Sequence, residues 1–546
     1  MRNLIVKGKR FFAVRVQAGT DPAEQYAASE FVKYMSKIGI PEGEGLNVRI
    51  CLDSDIGRDG FRISVTDEDT LEIAGGNGRG VNYGVYNFLK KYAGMRFFMP
   101  DLETLGDGDI VVDGDYAFNP IFELRKSDWK CCRDVDWSVK NGVNDMLEIP
   151  EEKGGCFRYA KGYFAHTMKK LAGTDKQPCL TDPEVLKKTI ASVREILARE
   201  PKEVIVSVTQ EDGFGRCRCD RCLAVVEEEG GDNGGGWSGL LLRFVNAVAA
   251  DIAEDYPDAV IDTFAYAYTT EPAKITKPLP NVCIRICSLP CCHSHAVNDP
   301  GCEGNRLFCE LIERWKKICD RIYIWDYTQN YHFYITPYPD FAVIRKTMRY
   351  YAEHNARGMY PEGNPNSPAY SEFGELRCYL MAQLMWNPFM SDEEYYNHMD
   401  EFLAAFYGKG WRYVRAFIDS LCGVTAGHCL GGIHPSEYMC RDKLEVLADT
   451  FENWWNKAEE LAGDRLEHVK RARLQWEFLR LDLYPNAEEG RRFEKAVQEN
   501  GILWREDMKP LIKNPPERYA WSPYTWYWKE HDPFGNKVDE GERPGV

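Results

Sequence analysis

Eight short apolar segments alternate with amphipathic helical stretches along the middle of the chain, and this pattern limits the folds open to it. The segments lie at residues 122–129, 141–145, 162–167, 203–210, 260–269, 281–288, 321–328 and 357–364, and the second is the least marked. Apolar strands that are each followed by a helix are typical of a parallel sheet covered on both faces. We therefore predict a (β/α)₈ barrel over residues 119–390, with an open doubly wound sheet as the alternative.

Two further regions flank the predicted barrel. Residues 1–118 contain several strand candidates and two helical stretches, the first of which begins with a capping box formed by Asp21 and Glu24. Residues 391–546 have a helical pattern and end in a tail rich in Trp and Tyr. The predicted fold class is therefore α/β, a TIM-like barrel between a small N-terminal α/β domain and a C-terminal α-helical domain.

Charge and cysteine usage narrow the partners and the compartment. The chain of 546 residues has 85 acidic and 68 basic side chains, and a net charge of −17 argues against a nucleic-acid partner. No run reaches the roughly 20 apolar residues that a membrane-spanning helix needs. Charged residues interrupt Met1–Val16, so this segment does not resemble a signal peptide. Because cysteines of proteins that are not secreted are usually reduced, we expect the 19 cysteines to be free thiols. We expect a cytoplasmic protein that binds neither nucleic acid nor membrane; a homo-oligomer stays open.

Polar and aromatic side chains gather where the predicted strands end, which is where barrel enzymes carry their active sites. A carboxylate at the end of an apolar strand is costly to bury and usually binds or reacts, although each could also cap a helix or form an ion pair. Paired carboxylates beside aromatic rings are typical of glycoside hydrolysis. The catalytic candidates are Glu362, Asp212, Glu211 and Asp326, and the substrate-binding candidates are His166, Tyr266, Trp325, Tyr327 and Asn364.

Glu211 and Asp212 are adjacent in the sequence, which limits how both carboxylates could enter one pocket. Side chains of adjacent residues on a regular strand point to opposite faces of the sheet. Both carboxylates can enter one pocket only if the end of the strand is bent or has become a loop.

A cluster of cysteines follows the fourth predicted strand. Cys217, Cys219 and Cys222 lie on the loop after that strand, and Cys291 follows the sixth strand on the same rim of the barrel. Three thiolates with one more Cys or His would complete a tetrahedral zinc site, and reduced, partly buried thiols are the alternative. The glycosidase reaction needs no cofactor, so a zinc ion would have a structural role.

Several pieces of the sequence resemble a known family in the order in which they occur. VSVTQEDGFGRCRCDRC (206–222), YIWDYTQNY (323–331) and GMYPEGN (358–364) are similar to the domain of unknown function 4838, a group linked to the endo-acting β-N-acetylglucosaminidases of glycoside hydrolase family 163. The stretch that begins DGFRISVTDEDTLEIAGG at residue 59 resembles the N-terminal accessory domain of family 20 hexosaminidases and α-glucuronidases. The resemblance covers roughly residues 20–390.

The resemblance implies a barrel hydrolase that acts on a glycan, with Asp212, the strand end at 325–327 and Glu362 in its pocket. In related N-acetylhexosaminidases an Asp-Glu pair acts together with the acetamido group of the substrate, whereas this chain has the order Glu211-Asp212. We predict a glycoside hydrolase of the N-acetylhexosaminide type, with Glu362 as proton donor, Asp212 as its partner and Asp326 in reserve. The alternatives are a metal-dependent hydrolase with Cys and His ligands, and a non-catalytic carbohydrate-binding protein.

Overall fold

The structure is a computed structural model that describes residues 3–145, 148–200, 203–331, 334–364, 370–430, 440–484 and 486–502. The predicted aromatic tail lies outside the described residues. Within those ranges, no helix combines the length and the apolar character that a membrane span requires.

The N-terminal region is a small α/β unit. Its elements are β1 (Leu4–Val6), β2 (Lys9–Phe11), β3 (Val14–Ala18), α1 (Pro22–Lys37), β4 (Leu46–Leu52), β5 (Phe61–Asp67), β6 (Thr70–Gly75), α2 (Gly78–Lys91), β7 (Arg96–Met99), β8 (Leu102–Thr104), β9 (Ile110–Val112) and β10 (Tyr116–Phe118). The larger sheet has the order β10-β5-β6-β4-β3. Helix α1 begins with the predicted capping box, in which the Asp21 N–H donates to Glu24 Oε2 at 3.1 Å.

The middle of the chain alternates strands and helices as the sequence predicts. Its elements are β11 (Leu124–Arg125), α3 (Val135–Asn141), β12 (Arg158–Tyr159), α4 (Met168–Ala172), α5 (Pro183–Leu197), β13 (Val204–Ser207), α6 (Asp220–Glu228), α7 (Gly236–Ile252), β14 (Val260–Ala265), β15 (Val282–Cys287), α8 (Glu303–Lys316), β16 (Ile322–Tyr327), α9 (Ile344–Glu353), β17 (Ala356–Glu362) and α10 (Gly374–Trp386).

These strands form a nearly closed parallel barrel. Among the described residues, seven strands pair in the order β11-β17-β16-β15-β14-β13-β12, and every pairing is parallel. From β12 to β17 each strand pairs with the next one in sequence, and the order never reverses as it does in a doubly wound sheet. The predicted barrel is therefore confirmed.

Hydrogen bonds of Asn144 bridge the gap between β11 and β12, where we predicted a second strand at 141–145. The Asn144 N–H donates to the Arg125 carbonyl at 3.1 Å, and the Asn144 carbonyl accepts from the Phe157 N–H at 3.0 Å. The Asn144 side-chain oxygen also accepts from the Arg125 N–H at 2.9 Å. The segment forms no strand because helix α3 occupies the chain up to residue 141 and Gly142 then turns with φ +78°.

The predicted third strand is also displaced. We predicted it at 162–167, but the strand that pairs with β13 is β12, four residues earlier. Residues 162–167 form a loop in which Gly162 has φ +80° and His166 has φ +53°. These left-handed conformations are incompatible with a regular strand.

The C-terminal region is helical. Its helices are α11 (Asp392–Tyr407), α12 (Trp411–Thr425), α13 (Arg441–Leu461), α14 (Leu466–Leu483) and α15 (Ala487–Glu499). Buried Phe402, Phe417 and Trp455 join the same hydrophobic core as the outer face of the barrel. The predicted domain limits at 118/119 and 390/391 stay predictions.

Candidate active site

A cavity of about 370 Å³ opens at the carboxyl ends of the barrel strands. This volume is in the range of small-ligand sites. Its lining contains six of the predicted site residues, together with four that we did not predict. The full set is His166, Asp212, Phe264, Tyr266, Cys287, Leu289, Trp325, Tyr327, Tyr331 and Glu362.

Glu362 is the last residue of β17 and is held from two sides. The indole N–H of Trp325 donates to Glu362 Oε2 at 2.6 Å. The Glu362 carbonyl accepts from the Tyr331 hydroxyl at 2.9 Å and from the Thr328 hydroxyl at 2.5 Å. Glu362 is half-buried beside aromatic rings, and the Trp325 indole orients its carboxyl group.

Asp128, near the end of β11, supports the turn that follows Glu362. Its carboxylate accepts hydrogen bonds from the Gly363 N–H at 2.5 Å and from the Tyr360 hydroxyl at 2.9 Å. Burial raises the pKa of Asp128. Its hydrogen bonds show that it fixes the strand end on which Glu362 stands.

Asp212 lies on the exposed loop after β13. Its Oδ1 accepts from the Tyr266 hydroxyl at 3.0 Å and from the Gly213 N–H at 2.8 Å. Burial, with Asp212 beside it, raises the pKa of Tyr266 to about 12, so this phenol keeps its proton and stays a donor. Tyr266 therefore fixes the direction of the Asp212 carboxylate.

Glu211 does not line the cavity. Its Oε1 accepts from the Lys169 N–H at the start of α4, at 2.8 Å, and its Oε2 lies 3.5 Å from Lys169 Nζ. The side chain therefore caps a short helix while the neighbouring Asp212 faces the cavity. Both residues lie on the loop after β13, and their hydrogen bonds to Lys169 and to Tyr266 hold the two carboxylates apart.

Asp326 does not line the cavity either. It alternates on β16 with Trp325 and Tyr327, which face inward, so its side chain enters the wall of the barrel. There it accepts from the Ser288 hydroxyl at 2.6 Å. Burial, with some contribution from Asp340, raises the pKa of Asp326 to about 7. Asn364 is buried two residues beyond Glu362 and is also outside the lining.

His166 lines the cavity from the loop after β12. Its Nδ1 lies 2.9 Å from the Gln210 carbonyl oxygen. Because a carbonyl can only accept, Nδ1 carries the proton, and Nε2 is the ring nitrogen that can meet a ligand. The left-handed backbone at His166 sets this direction.

Five of the ten residues that line the cavity are Phe, Tyr or Trp. The rings of Trp325 and Tyr327 are nearly parallel, with planes 9° apart and centroids 6.4 Å apart, and Tyr331 meets Tyr327 edge-on. Phe264 was missed, although it stands two residues before Tyr266 and strand alternation could have indicated it. Tyr331 comes from a loop, where no periodicity marks it.

A buried charged layer lies beneath the aromatic rings. Arg285 pairs with Asp262 at 2.7 Å inside the barrel, and its guanidinium carbon lies 5.2 Å from the Trp325 ring centroid. Burial raises the pKa of Cys287, which also lines the cavity, to about 12. The Cys287 thiol is therefore neutral at ordinary pH and is unsuited to act as a nucleophile.

Four cysteines converge on the rim beside the loop after β13. Their sulfur atoms all lie within 4.8 Å of one another, and the four are Cys179, Cys217, Cys219 and Cys222. Three of them are the predicted ligands, but the fourth is Cys179 and not Cys291. Cys291 is buried behind the cavity wall, in the smaller cavity that Asp326 also lines.

A second group that could hold a metal lies between the loop after β15 and the segment after α12. It consists of Cys292, His295, Cys302 and Cys429, whose ligand atoms also lie within 4.8 Å of one another. Among the residues that the structure describes, no member of either group lines the cavity that holds Glu362. Neither group therefore supports the alternative of a metal-dependent hydrolase.

Comparison with known families agrees with the predicted resemblance. The sequence profile of the Domain of unknown function (DUF4838) matches residues 107–419, more than half of the chain. The chain belongs to the DUF4838 family. The profile covers the barrel strands and the residues of the cavity. No curated protein sequence matches the chain.

Solved structures similar to this DUF4838 protein are glycoside hydrolases of several families. A GH115 4-O-methyl-α-glucuronidase with specificity for decorated arabinogalactans has a TM-score of 0.58 at 12% identity, over 98% of this chain and 80% of that one. A GH138 enzyme targeting pectin rhamnogalacturonan II has a TM-score of 0.47 at 11% identity, and the match covers 89% of this chain and 73% of that one. A GH20 exo-β-N-acetylglucosaminidase from Vibrio harveyi has a TM-score of 0.40 at 10% identity, and the match covers 72% of this chain and 73% of that one. The α-glucuronidase shows the shared fold.

Proposed function

We propose that this protein is a glycoside hydrolase that acts on oligosaccharides or glycans, with substrates of the N-acetylhexosaminide type. The observation that carries the proposal is the cavity at the strand ends, which contains Glu362 and Asp212 among aromatic rings. Two carboxylates with separate surroundings can take different roles in cleaving a glycosidic bond. The fold shared with an α-glucuronidase supports the same class of reaction.

Glu362 is the proton donor in this proposal. It stands half-buried among rings, as carboxylic acids that protonate a leaving group often do. The Trp325 indole holds its carboxyl group in one orientation. In the first step the Glu362 proton passes to the glycosidic oxygen as the bond to the anomeric carbon breaks.

Asp212 is the partner that orients the substrate. The acetamido N–H of an N-acetylhexosamine can donate to the carboxylate whose direction Tyr266 fixes. The acetamido carbonyl oxygen then attacks the anomeric carbon, and water later opens the cyclic intermediate with Glu362 as base. Such substrate-assisted cleavage retains the configuration at the anomeric carbon.

The nearly parallel rings of Trp325 and Tyr327 provide a platform for a sugar ring. His166 Nε2 can bind a sugar hydroxyl from the facing wall. These groups hold the sugar between the two carboxylates, so the reacting atoms need little further ordering.

A screen of aryl glycosides and glycans tests the proposal. It should include N-acetylglucosaminides and, because the α-glucuronidase shares the fold, uronides. We expect turnover of an N-acetylhexosaminide that Glu362→Gln lowers by about 10²-fold or more. Binding of sugars without turnover across the panel would favour a non-catalytic carbohydrate-binding protein instead.

The proposed reaction needs no cofactor, and we assign a structural zinc ion to the rim cysteines. The Cys179 sulfur lies 3.7 Å from that of Cys219 and 3.5 Å from that of Cys222. Zinc–sulfur bonds of about 2.3 Å place the sulfurs of a tetrahedral site about 3.8 Å apart. The ion would anchor the loop that carries Asp212.

A cytoplasmic location stays a prediction from the sequence.

A further inference from the structure

We propose that Cys292, His295, Cys302 and Cys429 bind a second structural zinc ion, which fastens the loop after β15 to the segment after α12. The four ligand atoms lie within 4.8 Å of one another. Three thiolates and one imidazole form a closed tetrahedral set of the kind found in structural zinc sites. The proposal is independent of the glycosidase activity.

The distances agree with a metal site better than with a disulfide. The sulfurs of Cys302 and Cys429 are 3.9 Å apart. A tetrahedral zinc site sets sulfurs about 3.8 Å apart, whereas a disulfide requires about 2.05 Å. His295 Nδ1 lies 3.1 Å from the Cys292 sulfur, so the imidazole lies close enough to bind the same metal ion as the thiolates.

Cys292 accepts a backbone hydrogen bond of the kind that metal-bound thiolates receive. The Leu430 N–H donates to its sulfur at 3.2 Å. Such outer contacts orient the ligands of a metal and tune their charge. The Ser294 hydroxyl donates to the His428 carbonyl, and its oxygen lies 3.2 Å from the Cys292 sulfur, so Ser294 contacts both joined segments.

Asn305 holds the loop in the shape that brings its three ligands together. The Asn305 side chain accepts from the Cys292 N–H at 2.8 Å and donates to the Cys292 carbonyl at 2.9 Å. It also donates to the Ala296 carbonyl at 3.1 Å. Because Asn305 is fully buried at the start of α8, the loop is anchored to the barrel before any ion binds.

The fourth ligand comes from far away in the sequence. Cys302 and Cys429 are 127 positions apart, and the neighbouring backbones meet where the His293 N–H donates to the Leu430 carbonyl at 2.9 Å. A metal that joins such distant segments contributes its binding free energy to folding. The joined loop also carries Leu289, so the ion would hold one wall of the active-site cavity.

Zinc content of the purified full chain tests the proposal. Cys429→Ser is the informative variant, because Cys429 is exposed and its replacement removes a ligand without opening the core. Cys309→Ser is the matched control, since Cys309 lies on α8 close by but its sulfur contacts the Val297 carbonyl and not the cluster. We expect Cys429→Ser to lose one zinc equivalent per chain, and Cys309→Ser and Cys429→His to lose none.

A cobalt experiment counts this site separately from the rim site. In Cys219→Ser, which removes a rim ligand, Co²⁺ should still give the strong absorption of a tetrahedral thiolate complex. Cys219→Ser combined with Cys429→Ser should lose that absorption. Equal zinc in Cys429→Ser and the parent, no metal in the parent, or a Cys302–Cys429 disulfide in protein purified under reducing conditions would each overturn the proposal.

Discussion

Glu362 and Asp326 end neighbouring strands of the barrel, yet they face opposite sides of its wall. Glu362 lies half-buried in the cavity, where a ligand can reach it. Asp326 is buried behind the same wall and binds the Ser288 hydroxyl. A position at the end of a strand is therefore not enough to place a carboxylate in the cavity, because side chains alternate between the two faces of a strand.

The surroundings of Asp326 belong to a structural network. Arg377 is fully buried and pairs with Asp340 and with Glu372, the latter at 2.8 Å. Burial raises the pKa of Glu372 to about 7. Buried charges of this kind are tolerated because each is paired or hydrogen-bonded. The acids of the cavity instead combine a few fixed contacts with an opening to solvent.

The largest expected effect is that of Glu362→Gln. We expect a loss of about 10²- to 10⁴-fold in kcat, as for removal of a general acid. The loss should be greater for substrates with poor leaving groups than for activated aryl glycosides, because only the former need the proton. Steady-state kinetics across a leaving-group series measure this, and an equal loss throughout the series would rule out proton donation by Glu362.

Asp212→Asn should have the next largest effect. We expect roughly a 10²-fold loss on N-acetylhexosaminides, since the acetamido group is no longer oriented. Tyr266→Phe, which removes only the hydroxyl that fixes Asp212, should lose less. Kinetics on paired substrates with and without the acetamido group check the role. A loss of similar size on both substrates would contradict the orientation of that group by Asp212.

Asp326→Asn should change the pH dependence of stability more than activity. The pKa of Asp326 rises from 3.8 to about 7 on folding, so the folded protein keeps a proton that the unfolded chain releases between these values. This residue therefore makes the protein less stable as the pH rises through that window, and the loss is complete above pH 7. Asp326→Asn removes this pH-dependent contribution to the free energy of unfolding.

Urea unfolding of the parent and of Asp326→Asn at pH 5.5 and pH 8 measures this difference. The stability of the variant relative to the parent should increase by roughly 1–2 kcal/mol between the two pH values. Glu372 titrates in the same direction but is present in both proteins, so its contribution cancels. A relative stability that does not change with pH would show that Asp326 is ionised in the folded protein.

Glu211→Gln should have the smallest effect. The side chain caps α4, and Gln can still accept the hydrogen bond from the Lys169 N–H. We expect a stability loss of at most about 1 kcal/mol and kcat within a few-fold of the parent. Thermal unfolding and the same kinetic assay check both values. A loss of kcat comparable to that of Asp212→Asn would show that Glu211 takes part in the reaction.

The sequence could predict the barrel and much of its site because both follow from local patterns. Apolar strands and capped helices identify the architecture, and the strand ends indicate Asp212, Trp325 and Glu362. The outward direction of Asp326 was also within reach, because the same alternation that turns Trp325 and Tyr327 inward turns it outward. We applied that rule to Glu211 and Asp212 and not to Asp326.

Other features depend on contacts between distant segments and leave no local signal. Cys179 joins the rim cysteines from the loop before α5, and Cys429 joins the second group from beyond α12. The bridge at Asn144 replaces a strand through hydrogen bonds to Arg125 in β11 and to Phe157 just before β12. Spacing along the chain identifies none of these partners, because only the folded backbone brings them together.

The kcat values of Glu362→Gln and Asp326→Asn on one N-acetylhexosaminide, measured side by side, test whether Glu362 and not Asp326 is the acid of the active site. Both variants replace a carboxylate by an amide of the same size at the ends of adjacent strands. The cavity assignment predicts a loss of at least about 10²-fold for Glu362→Gln and a change within a few-fold for Asp326→Asn. Similar losses in both variants, or a larger loss in Asp326→Asn, would contradict it.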